Sequence, residues 1–354
     1  MARRCSARLR AGFIGLVLLL FLAPPHSPGT TADRLERFRE LARTRLAEAE
    51  AAGGEQAQSL YREIYTLLDG EIVESLDSGS VFASEGFLQD RLDAFNEAWG
   101  GAALQVSKVG PLVVGAFRLG DAGEANSVRV YGSPRGEGRL LGSLHREANP
   151  TLHPLPAARG KSQLLIAWEA PRSGRGTTPV WVDLIRQEGD GIGIAWSTAD
   201  LFGGPVQTWQ YAVHGAEVAL RYELQYPGWV PGCEAQTEQE DLYRYAPSRQ
   251  TFVRVRRQLH AAWHRQAHAA IDRFFAALRA DNAAVLRELV PDARLRARLP
   301  ADLALEPACD ATEGTPPATL SPAAAVGPER RPWTLTFRRA GAAWRLVAAA
   351  PVIH

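Results

Sequence analysis

The sequence predicts an α+β protein in which an antiparallel, β-rich centre lies between two helix-led ends. Three observations carry that prediction. Apolar residues recur at helical spacing from 32 to 99, the period falls to two from about 103 to 256, and helical spacing returns from about 258. A period near 3.6 places an apolar stripe on one face of a helix, whereas a period of two places alternate side chains on one face of a strand. Hydrophobic residues make up 46% and charged residues 22% of the 354 positions, the balance of a folded chain with room for two or three domains.

In the first part Leu35, Phe38, Leu41 and Leu46 make one stripe. After Gly53-Gly54, Leu60, Ile64, Leu67, Leu68, Ile72 and Leu76 make a second, and Phe87, Leu88, Leu92, Phe95 and Trp99 a third that ends at Gly100-Gly101. Amphipathic helices joined by short connections pack antiparallel. Residues 31–101 therefore read as a helical packing or spacer module.

The clearest strand of the centre is 217–226, where Val218, Leu220, Tyr222, Leu224 and Tyr226 share one face and Glu217, Ala219, Arg221, Glu223 and Gln225 the other. Such alternation marks a strand with one buried face, as in antiparallel sheets. Further strands are expected at 112–117, 127–131, 139–144, 163–168, 180–186, 192–196, 208–213, 242–245 and 252–256. Turn formers separate several of them at 132–138, 172–178, 188–191 and 246–249. Residues 102–256 thus predict a meander, a sandwich or a partial-propeller-like sheet.

In residues 257–354, Trp263, Ala267, Ala270, Ile271, Phe274, Phe275 and Leu278 form the apolar face of a helix that stops at Asp281-Asn282, with a short helix at 283–290. A Pro/Ala-rich stretch at 316–328 reads as loop. Trp333, Leu335 and Phe337 then alternate up a strand, Ala340-Gly341 turns, and Trp344, Leu346 and Ala348 return. The strings AIDRFFAALRADNAAVLRELV (270–290) and TLTFRRAGAAWRLVAAAPV (334–352) make this region resemble the nuclear transport factor 2-like superfamily. The resemblance implies a cone-like α+β domain in which helices pack on a curved sheet. Members of that superfamily serve as enzymes, ligand binders or accessory modules, so the fold by itself names no activity.

Residues 1–30 carry Arg3, Arg4, Arg8 and Arg10 ahead of the apolar run AGFIGLVLLLFLA (11–23) and a Pro/Ser/Gly/Thr exit. These are the parts of a secretory signal peptide. The run is shorter than a comfortable membrane span, and an uncleaved inner-membrane anchor is the alternative. Periplasmic or secreted localisation follows from the first reading. Cys5 leaves with the signal, and Cys233 and Cys309 remain for one disulfide in an oxidising compartment.

Candidate chemistry is sparse. His260, His264, His268 and Asp272 follow one another every four residues, which on a continuous helix would line one surface; adjacent members could ligate a transition metal or line a polar pocket. The favoured reading is core-edge histidines satisfied by backbone or acids, with no metal and no cofactor, and with His264, His268 and Asp272 as candidate ligand-binding groups. Trp229 and Tyr243 belong to a second candidate, the segment 226–245, in which aromatic rings and the carboxylates of Glu234, Glu238, Glu240 and Asp241 suit sugars or cations. No residue is assigned a catalytic role. The formal net charge of +1 gives no electrostatic case for nucleic acid. The sequence reading is a non-enzymatic exported protein that binds a small ligand or an envelope partner. The alternatives are a small-ligand or enzymatic site in the C-terminal cone, and a membrane-anchored structural envelope protein whose membrane contact is the N-terminal segment alone.

Overall fold

The computed structural model describes residues 30–45, 55–120, 125–313, 317–341 and 343–352. The targeting segment, Cys5, Leu46 and the Gly53-Gly54 break lie outside the described residues. The fold is α+β and rich in antiparallel strands, with the helices mostly at the two ends.

Thr30 caps the first helix, α1 (Thr31–Glu40): its side chain accepts from the Asp33 N–H, and Asp33 returns the bond to the Thr30 N–H. This reciprocal capping satisfies two of the amide donors that any helix start leaves open. Helices α2 (Glu55–Ser78) and α3 (Glu85–Trp99) follow, and α3 stops where Gly100 takes a left-handed conformation (φ 76°). The apolar faces of all three helices enter one core with the first sheet, so Phe38, Ile64, Leu68, Leu92 and Phe95 pack with Leu104, Phe117 and Tyr131.

That sheet has the order β1 (Ala103–Val109), β2 (Leu112–Arg118), β3 (Asn126–Gly132), β4 (Arg139–His145), every pair antiparallel. Its other face, with Val114, Val128 and Val130, packs on Leu164, Ile166, Trp168 and Ile185 of the second sheet. Covered on both sides, β3 is buried at every position, which is why its sequence does not alternate.

The second sheet runs β12-β11-β10-β9-β7-β6-β5, where β5 is Asn149–Ala158, β6 Lys161–Glu169, β7 Thr178–Glu188, β9 Val206–His214, β10 Glu217–Glu223, β11 Glu238–Ala246 and β12 Thr251–His260. One edge of β7 is shared: β8 (Gly191–Ser197) pairs with its second half and β9 with its beginning. The short helix α4 (Thr198–Phe202) bridges β8 and β9, capped by Ser197. Leu155 of β5 and Phe252 of β12 belong to the same core, so this meander curls back on itself. The strands expected from the sequence are present, although the one read as 217–226 ends at Glu223, where the loop to β11 begins, and β1 and β5 are additional. Three prolines in β5 hide it from a propensity reading and are tolerated because β5 is an edge strand.

The C-terminal part packs α5 (Ala262–Arg279), α6 (Ala283–Leu289) and α7 (Ala293–Arg296) on a third sheet. Its order is β13-β16-β17-β15-β14, with β18 (Ala343–Pro351) on β17 (Arg331–Ala340). The stretch read as loop at 316–328 contains β15 (Thr319–Ser321) and β16 (Ala323–Val326), while β13 is Leu303–Leu305 and β14 Ala311–Glu313. Alanine contributes little strand propensity of its own, but Ala324, Ala325 and Val326 are buried between β13 and β17, and that pairing imposes the conformation. No helix among the described residues is long and apolar enough to cross a membrane.

Asp69 of α2 registers the helical layer on the sheet. It accepts from Arg129 Nε and Tyr131 Oη of β3, each at 2.7 Å. Removing one partner of a buried pair leaves the other charge unsatisfied. Asp69→Ala should therefore destabilise the protein by about 3–5 kcal/mol, seen as a lowered urea midpoint at unchanged m-value; a loss inside the error of the measurement would show that water reaches Arg129.

Candidate functional site

Two neighbouring sites are built where the second sheet meets α5. The first is a cleft of about 830 Å³ at the mouth of the curled sheet, walled by Trp196 of β8, Phe202 of α4, Tyr222, Tyr226, Tyr243 and Phe252, with Arg254, Arg257 and Arg265 among its lining residues. Beneath it lies Asp241, fully buried. Strand alternation delivers this set, because Leu220 and Tyr222 of β10, Gln239, Asp241 and Tyr243 of β11, and Phe252 of β12 all turn inward. Asp241 Oδ2 accepts from Tyr222 Oη (3.0 Å), Gln239 Nε2 (3.0 Å) and Tyr243 Oη (3.4 Å), and pairs with Arg254 at 3.2 Å; its Oδ1 faces Arg257 Nε at 3.4 Å. Burial and the adjacent Asp241 charge push the Tyr243 phenol up to about 12 and raise Tyr222 as well. Both rings therefore stay neutral hydrogen-bond donors at any physiological pH. Burial also raises the Glu223 carboxyl. Arg265 has no carboxylate partner among the described residues and is exposed.

The second site lies behind the wall formed by Tyr226. His264 and His268 stand one turn apart on α5, with their rings stacked 4.6 Å between centroids. Both Nε2 atoms point at one oxygen, Oδ2 of Asp310, at 2.9 Å and 2.6 Å, and all three side chains are more than nine-tenths buried. Tyr226 Oη lies 2.6 Å from His264 Nδ1 and accepts from the Thr237 N–H at 2.9 Å. Burial alone would raise the Asp310 carboxyl; the hydrogen bonds from His264 and His268 outweigh it and hold the group below the ordinary carboxylate value. Gly228 (φ +86°) lies so close that any Cβ there would overlap the His268 ring. A cavity of about 350 Å³ reaches His264 and Asp310 past Trp263 and the disulfide.

That disulfide, Cys233–Cys309, joins the loop 224–237 to the segment that carries Asp310 across a sequence separation of 76. Of the residues singled out from sequence, His264 and His268 come together, and Tyr243 joins the cleft. Trp229 sits half-buried in the loop and lines neither cavity. Asp272 stays on α5 as a half-buried residue, and the acid that meets the histidines is Asp310. His260 is a correction: it ends β12 instead of entering the helix, and binds Glu240 at 3.0 Å. Its register opposite Glu238 holds it extended, and Ala261 (φ 49°) turns the chain into α5. Asp310 was missed because nothing local marks it; the only signal is its place beside Cys309. Arg254 and Arg257 were missed because the strand expected at 252–256 carries no local signal of the buried Asp241 that they meet.

No family model matches the chain, and no curated protein matches it. Among solved structures, the chain is similar to a Bacteroides fragilis protein that carries the provisional name 6-phosphogluconolactonase, at 11% identity over 69% of this chain and 67% of that one, with a TM-score of 0.18. A likeness at that level carries no argument about fold or activity.

The cross-link closes a long loop in the unfolded chain, which in the chain-entropy account is worth about 4 kcal/mol. Replacing both cysteines (Cys233→Ser with Cys309→Ser) should lower stability by roughly that amount, read by denaturant titration. An unchanged midpoint would mean that the surrounding hydrogen bonds alone hold the junction.

Proposed function

We propose that this is an exported, non-enzymatic binding protein that takes an acidic carbohydrate into the cleft between α4, β10, β11 and β12. The observation that carries the reading is the lining of that cleft, which combines six aromatic side chains with three arginines and the amides of Gln207, Gln225 and Gln239. The apolar face of a sugar ring stacks on aromatic rings, its hydroxyls pair with amides, and a carboxylate suits a guanidinium fork. The volume lies within the range of pockets that enclose small molecules. Asp241 acts from below, holding Tyr222 and Tyr243 in place and neutralising Arg254 and Arg257 in part, while Arg265 keeps its charge for the ligand. Export is supported by the basic-apolar leader and by a disulfide of the kind that persists in oxidising compartments.

The rival site is the interior of a cone in the C-terminal part. Helices packed on an antiparallel sheet are in keeping with a nuclear transport factor 2-like domain, but Ile271, Phe274, Phe337, Trp344 and Leu346 are almost fully buried there as one cluster. A core of large apolar side chains offers little to orient a ligand, whereas the cleft is lined by charged and amide groups, which favours the cleft.

Calorimetry with galacturonate and glucuronate, and with galactose and glucose as neutral counterparts, tests the ligand class. The acids should bind at least tenfold more tightly, and Arg265→Ala should weaken them about tenfold, the loss of one charge-assisted bond. Equal binding of acid and neutral sugars, or none by either, refutes the proposal. For export, N-terminal sequencing of protein recovered from the cell envelope or medium should begin beyond the apolar run; an intact Met1 in the membrane fraction would point to the anchor instead.

A further inference from the structure

We infer that His264 Nε2, His268 Nε2 and the Asp310 carboxylate form a three-ligand site for a divalent transition metal ion of the zinc type. One helix supplies two imidazoles at i and i+4, and a disulfide-pinned segment supplies the carboxylate, so that the three donor atoms lie within 4.8 Å of one another. Two nitrogens and one oxygen, with room beside them, is the donor pattern of open zinc sites, in which a fourth position is left to water or another molecule. Imidazole with carboxylate selects zinc-like ions over calcium or magnesium, which prefer all-oxygen cages.

The two nitrogen–oxygen edges are close to those of a metal-bound set. Ligands of a tetrahedral zinc ion at bond lengths of about 2.0–2.1 Å stand roughly 3.3 Å apart, whereas the two nitrogens stand 2.9 Å and 2.6 Å from Asp310 Oδ2. Those two edges open by a few tenths of an ångström as a shared ion replaces the hydrogen bonds, and the whole donor set already lies within 4.8 Å.

The surroundings fix which atoms face the ion. Gly228 closes off Nδ1 of His268, a buried atom with no hydrogen-bond partner, and so presents Nε2 as the ligating atom. Nδ1 of His264 meets Tyr226 Oη, the outer contact that orients a ligating imidazole. The cavity of about 350 Å³ that reaches His264 and Asp310 provides the path for the ion and the space for its fourth ligand. The site stands independently of the sugar cleft, because none of the three ligands lines that cleft.

The experiment uses the tag-free, oxidised chain, stripped with a chelator and then titrated with zinc by calorimetry and with cobalt by visible spectroscopy. The expected result is one ion per chain and the intense visible absorption of four-coordinate cobalt. His264→Gln and Asp310→Asn should each weaken zinc at least hundredfold, while His260→Gln, which alters a histidine outside the site, should leave it unchanged. Circular dichroism in metal-free buffer establishes that each variant is folded. Should one variant fail to fold, the other and the cobalt spectrum of the unaltered chain still decide. No saturable uptake at micromolar zinc, pale six-coordinate cobalt, or folded variants that bind like the parent would leave a purely hydrogen-bonded triad and overturn the assignment.

Discussion

The bond between Cys233 and Cys309 is the constraint on which both sites rest. The loop 224–237 is longer than most connections in compact domains and has no ladder to hold it. It is tied instead at several points. Gln236 returns its amide to the Val230 N–H and to the carbonyls of Val230 and Cys233, Thr237 Oγ1 donates to the Ala261 carbonyl, and Tyr226 meets His264. On the far side the same sulfur link fixes Cys309, and therefore its neighbour Asp310, against α5. A carboxylate carried by the short, exposed strand β14 and its approach would otherwise pay full conformational entropy to stay buried between two imidazoles.

Elsewhere the fold uses buried carboxylates met by arginine. Glu71 joins α1, α2 and α3 through Arg34 and Arg91, with Arg34 also reaching Glu74. Asp69 ties α2 to β3, Asp183 takes Arg146 through two nitrogens at 2.9 Å and 3.0 Å together with Ser197, and Asp241 lies beneath the cleft. Pairs of this kind add little net stability over well-packed apolar residues, because both charges leave water. They do penalise wrong registers, since a slipped helix or strand would strand a charge. Lysine occurs only at Lys108 and Lys161. That composition suits the task, because the planar guanidinium binds a carboxylate through two nitrogens at once, whereas an ammonium does not.

The change of period at about 103 and again at about 258 was legible because each helix and most strands bury one face. Legibility failed where the strand conformation is imposed by neighbouring strands. Strand β3, covered by helices and by the second sheet, does not alternate, yet its run at 127–131 was legible as a strand. Strand β5 is masked by its prolines, and β15 and β16 by their alanines and serines. At the site, helical spacing correctly grouped His264 with His268, but it extended the same pattern to His260, which strand pairing removes, and to Asp272, which never meets the pair. The acid that does meet them lies 42 residues from His268 in sequence. Helical periodicity reaches only a few turns, so a partner at that distance is visible only through the cysteine beside it.

Tyr226 belongs to both sites: its ring lines the cleft, and its hydroxyl braces His264. Helix α5 is shared as well, with Arg265 turned to the cleft and its neighbours His264 and His268 turned to Asp310. Contact of this kind is necessary for coupling between sites but not sufficient, because free energy passes only through an element with two discrete arrangements. Here the shared element is the loop 224–237, and each of its ties opposes a second arrangement. The Thr237–Ala261 bond fixes one end, the disulfide fixes the other side, and Gly228 packed on His268 leaves no room for the loop to slide inward. The loop therefore acts as a brace. It lets the cleft and the histidine cluster be built from one stretch of chain, each with its own chemistry, and it makes the rigidity of both depend on the same two sulfur atoms.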